Sequence, residues 1–376
     1  MRLIKILIAL FVLTAAVFAH VPPRQEAGSA PAQTASEHTV TLVFSATDGH
    51  GNPLRELTKD QVTVTENNQA AQTVQVQDAS DLPLHLGIVL LASKKKFDQE
   101  QAAAIDLAQK VLRPGKDKAF VITAGGEKPW PNEKIPWLTD TPAVADAVRA
   151  LDKNAGLADL FNYQVTTETA SLGRMSLQTI QTTGGGSVFD IIWAVMKTDP
   201  RPARRAVVIF RLGSAHAPGF GERSTRACEE NHMRVIRVAQ LLGVSMFTVG
   251  LEDPMPAGDP SRANIGQTYT SIHAGQTGDS RAYDQGLARQ MDFQYSAGRD
   301  NVNRIADDTG GRPYWTTKKN YTDAVAAISN ELSARYIVTF VPAATTAAAP
   351  VHPIKVLVGG AAHVSAPRAY IVPQQN

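Results

Sequence analysis

The stretch Leu84–Phe97 reads LHLGIVLLASKKKF, and its reading decides the fold. Within it, Leu86–Leu91 (LGIVLL) carries no polar side chain. Such a run suits a strand buried on both faces of a sheet better than one half exposed to water. In open α/β sheets the loop leaving the carboxyl end of such a strand is where ligands bind. Residues 91–96, with three consecutive lysines, are therefore the first candidate site.

Downstream the pattern repeats. Asp98–Leu112 spaces Ala102, Ile105, Ala108 and Leu112 as one face of a helix, and Pro114-Gly115 stops it. Ala119–Ala124 reads as the next buried strand and Ala143–Leu151 as a short helix. Ser187–Met196 reads as a helix starting just after Gly184-Gly185-Gly186. Ala206–Phe210 and Val244–Val249 are further buried strands, separated by a helix over Glu229–Leu242. A helix over Val302–Gly311, strand-like Arg312–Thr316 and a helix over Tyr321–Leu332 complete the series. Strand and helix in this alternation mean right-handed crossovers, hence a doubly wound α/β domain with a mostly parallel sheet covered on both faces. Two segments break the rhythm: Asp152–Thr183, rich in Gly, Thr, Ser and Gln with weak periodicity and read as an excursion from the core, and Asp253–Asp300, polar and too long for an ordinary connection.

The flanks are of another kind. Thr39–Thr47 alternates apolar and polar residues before the turn-rich DGHGNP, and two more alternating strands surround Asn67-Asn68. This unit is too small to bury much surface alone. Tyr336–Val341 and Ile354–Val358 alternate in the same way, so the C-terminal strands are expected to complete the N-terminal ones, with the parallel-sheet domain inserted between. The expected organisation is a signal peptide over 1–19, a disordered linker over 20–37, a β module over 38–82, the α/β domain over 83–335 with insertions near 152–183 and 253–300, and completing strands over 336–376.

Bulk properties narrow the function. MRLIK, a short apolar run and Val17-Phe18-Ala19 form an export signal, so the expected location is periplasmic or extracellular, with membrane association only through export or an uncleaved signal. The run is short for a spanning helix. A net charge of +2 gives no bulk argument for nucleic acid, and the single cysteine, Cys228, allows no intrachain disulfide. Composition sets no oligomeric state. No H-E-x-x-H, C-x-x-C or G-x-x-x-x-G-K-[ST] is present. His216, His232 and His273 converge with neither Asp190 nor Asp307 on a nucleophile, so no catalytic residue is assigned and the chain is read as non-enzymatic. Trp130 and Trp137 lie in a Pro-rich loop that suits packing better than binding.

Three stretches carry a family resemblance: GNPLRELTKDQVTVTENNQAAQTVQV near the start, NRIADDTGGRPYW late, and the closing ARYIVTFVP with HPIKVLV. In this order they resemble the VWFA-related family found widely in Acidobacteria, built on a von Willebrand factor type A domain. The resemblance implies one divalent cation at the carboxyl ends of the strands, held by D-x-S-x-S in a first loop, a Thr in a second and an Asp in a third. Its open coordination position captures an acidic side chain of a partner.

In this chain the matching positions are altered. The first loop has Leu91 for the Asp and Lys95 for the final Ser, keeping only Ser93 between Ala92 and Lys94. The second has Gly186 for the Thr, with Ser187 one residue on, and the third has Leu212 for the Asp, preceded by Arg211. Mg²⁺ demands hard oxygen ligands including carboxylates, and ammonium groups repel it. The site is read as degenerate, binding no metal and no cofactor. Ser93, Lys94, Lys95, Lys96, Gly186, Ser187, Arg211 and Leu212 are the expected binding face, presented to the acidic side chain of a protein partner. Alternatives from other classes are an enzyme with its site in the 253–300 insertion, or a structural spacer in an envelope assembly.

Overall fold

The computed structural model describes residues 39–91, 97–124, 135–151, 165–172, 175–182, 188–210, 226–251, 299–316, 321–342 and 351–372. The described chain opens with β1 (Val40–Thr47), β2 (Val62–Glu66), β3 (Gln69–Ala70) and β4 (Gln72–Asp78). Then come β5 (Leu84–Leu91), α1 (Phe97–Val111), β6 (Lys118–Ala124), α2 (Thr141–Arg149), β7 (Val165–Leu172), β8 (Met175–Thr182) and α3 (Val188–Lys197). β9 (Arg204–Phe210), α4 (Arg226–Leu242) and β10 (Val244–Leu251) follow. α5 covers residues 299–308. The last elements are β11 (Pro313–Thr316), α6 (Thr322–Ser333), β12 (Tyr336–Val341), β13 (Val351–Val358), β14 (His363–Ser365) and β15 (Ala369–Ile371).

The parallel sheet has five strands in the order β11-β10-β9-β5-β6. β5 runs beside β6 and β9 in register, with Leu90 opposite both Thr123 and Phe210. Because side chains alternate along a strand, the two faces of β5 feed two cores. Leu84, Leu86, Ile88 and Leu90 pack with α1, α2 and α6, whereas Val89 packs with α3, α4 and α5. Gly87 shares the second face, and a Cβ there would lie 2.6 Å from Phe120 Cζ, so the missing side chain is where the phenyl ring sits. Two buried faces account for the unbroken apolar run.

The remaining strands form a flattened antiparallel barrel. One sheet runs β14-β1-β12-β4 and the other β15-β13-β2-β3. Chain continuity from β3 into β4, and from β14 to β15, joins the two sheets at both sides. The N-terminal strands are thus completed by C-terminal ones, β1 by β12 and β2 by β13. Phe44, Val64, Val338 and Phe340 fill the interior, fully buried. A polar trio is also buried there: Tyr370 Oη donates to Glu66 Oε1 at 2.9 Å, and His352 Nδ1 lies 2.8 Å from the same oxygen.

The barrel sits against the amino ends of the parallel strands, where a buried carboxylate joins the two. Glu331, near the end of α6, is 1% exposed. Ser45 of β1 and Ser365 of β14 donate to its Oε2 at 3.3 and 2.7 Å. Tyr314 of β11 donates to Oε1 at 2.6 Å, with Arg312 at 3.4 Å. Beside it Arg335, also fully buried, donates to Ser245 Oγ at 2.9 Å and lies over the Phe247 ring. The TGG sequence at 309–311 has its reason here. Thr309 Oγ1 accepts from Met246 N–H at 3.1 Å and donates to the Ile305 carbonyl, so it both ends α5 and fastens it to β10. Gly311 passes so close that a Cβ would lie 1.9 Å from Met246 O.

Two details were not legible in the sequence. Part of the Asp152–Thr183 excursion is an antiparallel hairpin, Val165 opposite Thr182 through Leu172 opposite Met175. Its strands are mostly Thr, Ser, Gln and Glu, so their alternation lacks the apolar contrast that marks a strand. β14 and β15, three residues each, lay below any periodicity signal. The signal peptide, the linker and nearly all of the 253–300 insertion lie outside the described residues.

Gly311→Ala is expected to lower unfolding free energy by about 3 kcal/mol or more, since a main-chain carbonyl must move. Gly359→Ala, whose nearest neighbour would be 3.8 Å away, is the control and is expected to stay within about 1 kcal/mol. Urea unfolding of both variants measures the difference.

Candidate functional site

Strand order locates the site. From β5 the chain crosses to β6 on one side, then returns to β9 on the other and continues outward through β10 and β11. The order therefore reverses between β5 and β9, and the crevice at their carboxyl ends is the place an open α/β sheet offers a ligand. β9 ends at Phe210, opposite Leu90, one residue short of the end of β5 at Leu91.

Helix ends converge on the same edge. The residues following α1 lie at the amino end of β5, where Asp117 Oδ1 accepts from Leu84 N–H at 2.6 Å, so α1 begins at the opposite, carboxyl edge. Just past the C-terminus of α3, Thr198 Oγ1 accepts from Trp137 and Asp199 pairs with Lys118 at the start of β6. Val188, at the start of α3, accordingly faces the carboxyl edge. The described ends of all three expected loops, at Leu91 and Phe97, at Val188 and at Phe210, belong to one edge of the sheet. The eight expected binding residues, Ser93, Lys94, Lys95, Lys96, Gly186, Ser187, Arg211 and Leu212, lie outside the described residues.

The described part of this edge holds groups that the sequence reading passed over. Glu100, in the first turn of α1, is fully buried. It falls three residues after Phe97 and four before Ala104, on the stripe that faces the sheet, and that inward position was the available signal. Tyr321, before α6, is 4% exposed and meets the Phe210 ring edge to face, centroids 6.1 Å apart. Thr123 Oγ1 donates to the Leu90 carbonyl at 3.1 Å. A carboxylate in the first turn favours the positive end of the helix dipole and offsets cations placed nearby. Among the described residues no three His, Cys, Asp or Glu side chains cluster as metal ligands would.

Other residues considered from sequence fall elsewhere. Trp137 lies at the amino edge, under Lys118 Nζ at 4.2 Å from the ring centre and edge-on to Phe120, which is a packing role. Asp307 pairs with Arg368 of the barrel at 3.2 Å. His232 is buried in α4. His216, His273 and Trp130 lie outside the described residues, as does the side chain of Asp190.

The amino edge is tied by charge. Arg201 and Lys118 hold the Asp199 carboxyl well below the usual carboxylate range. Burial pushes Asp117 up, but hydrogen bonds from Arg113 and the Leu84 N–H outweigh it, leaving its pKa lowered. Burial, with Lys118 beside the ring, lowers His85 to about 4, and burial lowers His232 to about 4.

No protein-family profile matches the chain, and no curated protein sequence does. Among solved structures, the neighbours include von Willebrand factor type A domains. A von Willebrand factor type A protein from Catenulispora acidiphila aligns over 90% of this chain and 75% of its own at 9% identity, TM-score 0.37. Proximal thread matrix protein 1 of the mussel byssus, with a zinc-occupied MIDAS motif, aligns over 70% of this chain at 9% identity, TM-score 0.36. The alignment spans 48% of that mussel protein's length. The PilB minor pilin of Streptococcus sanguinis aligns over 66% of this chain and 62% of its own at 10% identity, TM-score 0.33. The site rests on this chain's own strand order and edge geometry.

Both histidines are neutral in the fold near pH 7, and each protonates more readily once unfolded. Their contribution is complete above about pH 6.5 and is lost as pH falls toward 4, up to about 3 kcal/mol each. Stability measured by urea unfolding is expected to fall over that window, and the double variant His85→Phe/His232→Phe is expected to flatten the slope. Asp117 and Asp199 add a further loss below about pH 4.

Proposed function

We propose that this chain is an exported, non-enzymatic protein-binding module of von Willebrand A type, with a degenerate adhesion site that receives an acidic side chain without a metal. The observation that carries the reading is the switch-point crevice between β5 and β9, with the cation-rich segments 92–96 and 211–212 attached directly to those strand ends. Binding of an anion there is supported by the start of α1 at the same edge, because unpaired N–H groups of a helix's first turn favour negative charge. The residue types do not suit a divalent cation: Leu91 and Leu212 stand where the resemblance puts carboxylates, and Lys94–Lys96 bring positive charge. Among the described residues no three His, Cys, Asp or Glu side chains cluster at this edge as metal ligands would, and the acidic residues of the first turn of α1 are Asp98, which is exposed, and Glu100, which is buried. Export is supported by residues 1–19, and no helix among the described residues is long and apolar enough to cross a membrane.

A glutamate-rich peptide serves as the probe. Calorimetric titration of the chain is expected to show binding that weakens as salt rises and is unaffected by EDTA. Lys94→Glu/Lys95→Glu/Lys96→Glu is expected to abolish it. A rise in melting temperature on adding Mg²⁺ or Mn²⁺, or loss of binding on chelation, would sink the metal-free mechanism.

A further inference from the structure

Among the described residues the barrel has an open seam, distant from the carboxyl edge of the parallel sheet. A cavity of about 410 Å³ is lined by every residue of Ile354–Val358 on one side and by 361–368 on the other, with Asp307 and Gly311 beside it. Side chains of a strand alternate between faces, so a cavity touched by consecutive residues is lined by the main chain. This cavity lies between two strand edges.

Hydrogen bonding identifies them. β15 covers β13 only at Val351–Pro353, while Ile354–Val358 pair with β2 alone. Pro353 O accepts from Asn67 N–H and Gly359 N–H donates to Gln61 O, so odd-numbered residues of this segment bond toward β2. Ile354 N–H donates instead to Arg368 O, and Val358 O accepts from Ala361 N–H. By alternation, the N–H and C=O of Val356 and the N–H of Val358 point into the seam. On the opposite wall β14 pairs with β1 alone among the described residues. Ala46 O accepts from Leu54, away from β14, so Ser45 and Thr47 bond to Ser365 and His363, and Val364 turns its main chain to the seam. The other junction between the sheets is closed, by Ala71 N–H to Val64 O at 2.9 Å and Thr73 Oγ1 to Val62 O.

We propose that this seam binds an extended segment of another polypeptide, added as a strand between β13 and β14. Unpaired main-chain groups on both walls are satisfied by a third strand and by no side-chain ligand of comparable size. The slot has a main-chain edge on each wall, the pattern that a single added strand pairs with on both sides. The walls also set the side-chain pattern. Ile354, Val356 and Val358 turn into the barrel core, whereas Lys355 and Leu357 face solvent. The occupant therefore alternates small apolar residues facing inward with polar residues facing out, over about 17 Å for a five-residue segment. Residues 20–37 of this chain, with Pro22, Pro23 and Pro31 and no such alternation, do not have that character.

The test uses the full chain and a phage library of random dodecapeptides, with amide hydrogen exchange as the structural readout. In the free chain the Val356 amide is expected to exchange at least about tenfold faster than that of Leu357, which pairs with β2. Enriched peptides are expected to alternate apolar and polar residues and to slow Val356 exchange at least about tenfold. Val356→Pro removes a seam-facing donor without touching the β2 ladder, and is expected to weaken peptide binding at least about tenfold. Val364→Pro tests the opposite wall if Val356→Pro fails to fold, and Lys355→Glu on the outer face is expected to leave binding unchanged. The proposal is overturned if no peptide enriches, if enriched peptides protect another segment, or if binding survives both proline variants. It is equally overturned if Val356 is already protected in the free chain and loses protection on dilution, which assigns the seam to a second copy, or on deletion of residues 20–37, which assigns it to the chain's own tail.

Discussion

The barrel and the parallel sheet are joined at the amino side of the molecule through one buried acidic side chain, Glu331. A buried carboxylate is costly unless its lone pairs are filled, and Glu331 has Ser45 and Ser365 on one oxygen and Tyr314 and Arg312 on the other. Those partners come from β1, β14, β11 and the segment before β11, so the same hydrogen bonds that satisfy the buried side chain join the barrel to the parallel sheet. Raised acidity of the phenol is not available as an escape, because burial and the nearby carboxylate push the Tyr314 pKa up and keep its proton in place as a donor. Neighbouring groups tighten the joint. Arg113 and Arg204 both donate to the Leu82 carbonyl, and Ala79 N–H donates to Arg335 O, which pins the connection from β4 into β5 at several points.

With its amino edge occupied by the barrel, the parallel sheet presents its opposite edge. The reversal of strand order between β5 and β9 leaves a crevice there, because crossovers on the two sides leave in opposite directions. In sequence Lys94–Lys96 come just before α1, whose first turn carries the acidic residues Asp98 and Glu100.

The legible parts of the sequence are those where a residue's role follows from its near neighbours. The run Leu86–Leu91, the helical spacing after Asp98 and the stop at Pro114-Gly115 all concern residues a few positions apart, and the parallel sheet with helices on both faces is present as read from them. The alternating strands at the two ends were legible as strands, and their short lengths as a sign that they need each other. The strand ends near Leu91 and Phe210 were legible because where a buried apolar run stops is a local property. The hairpin at 165–182 was not, since its Thr, Ser and Gln strands give no apolar contrast.

Tertiary structure alone decided what pairs across long separations. The ladder of β1 with β12 joins residues almost 300 positions apart, and nothing local in TVTLVFSAT selects YIVTFV as its partner. Closure of the barrel through β3–β4 and β14–β15, the open seam at Val356, and the inward places of Glu331 and Arg335 arise from that pairing. Gly87 and Gly311 show the same division. The sequence marks each as a missing side chain, and only the fold shows what fills the space, the Phe120 ring in one case and the Met246 carbonyl in the other. Periodicity and turn chemistry act along the chain, whereas burial, register and close approach act through space, so the first determined the elements and the second determined the barrel, its seam and the edge left for a ligand.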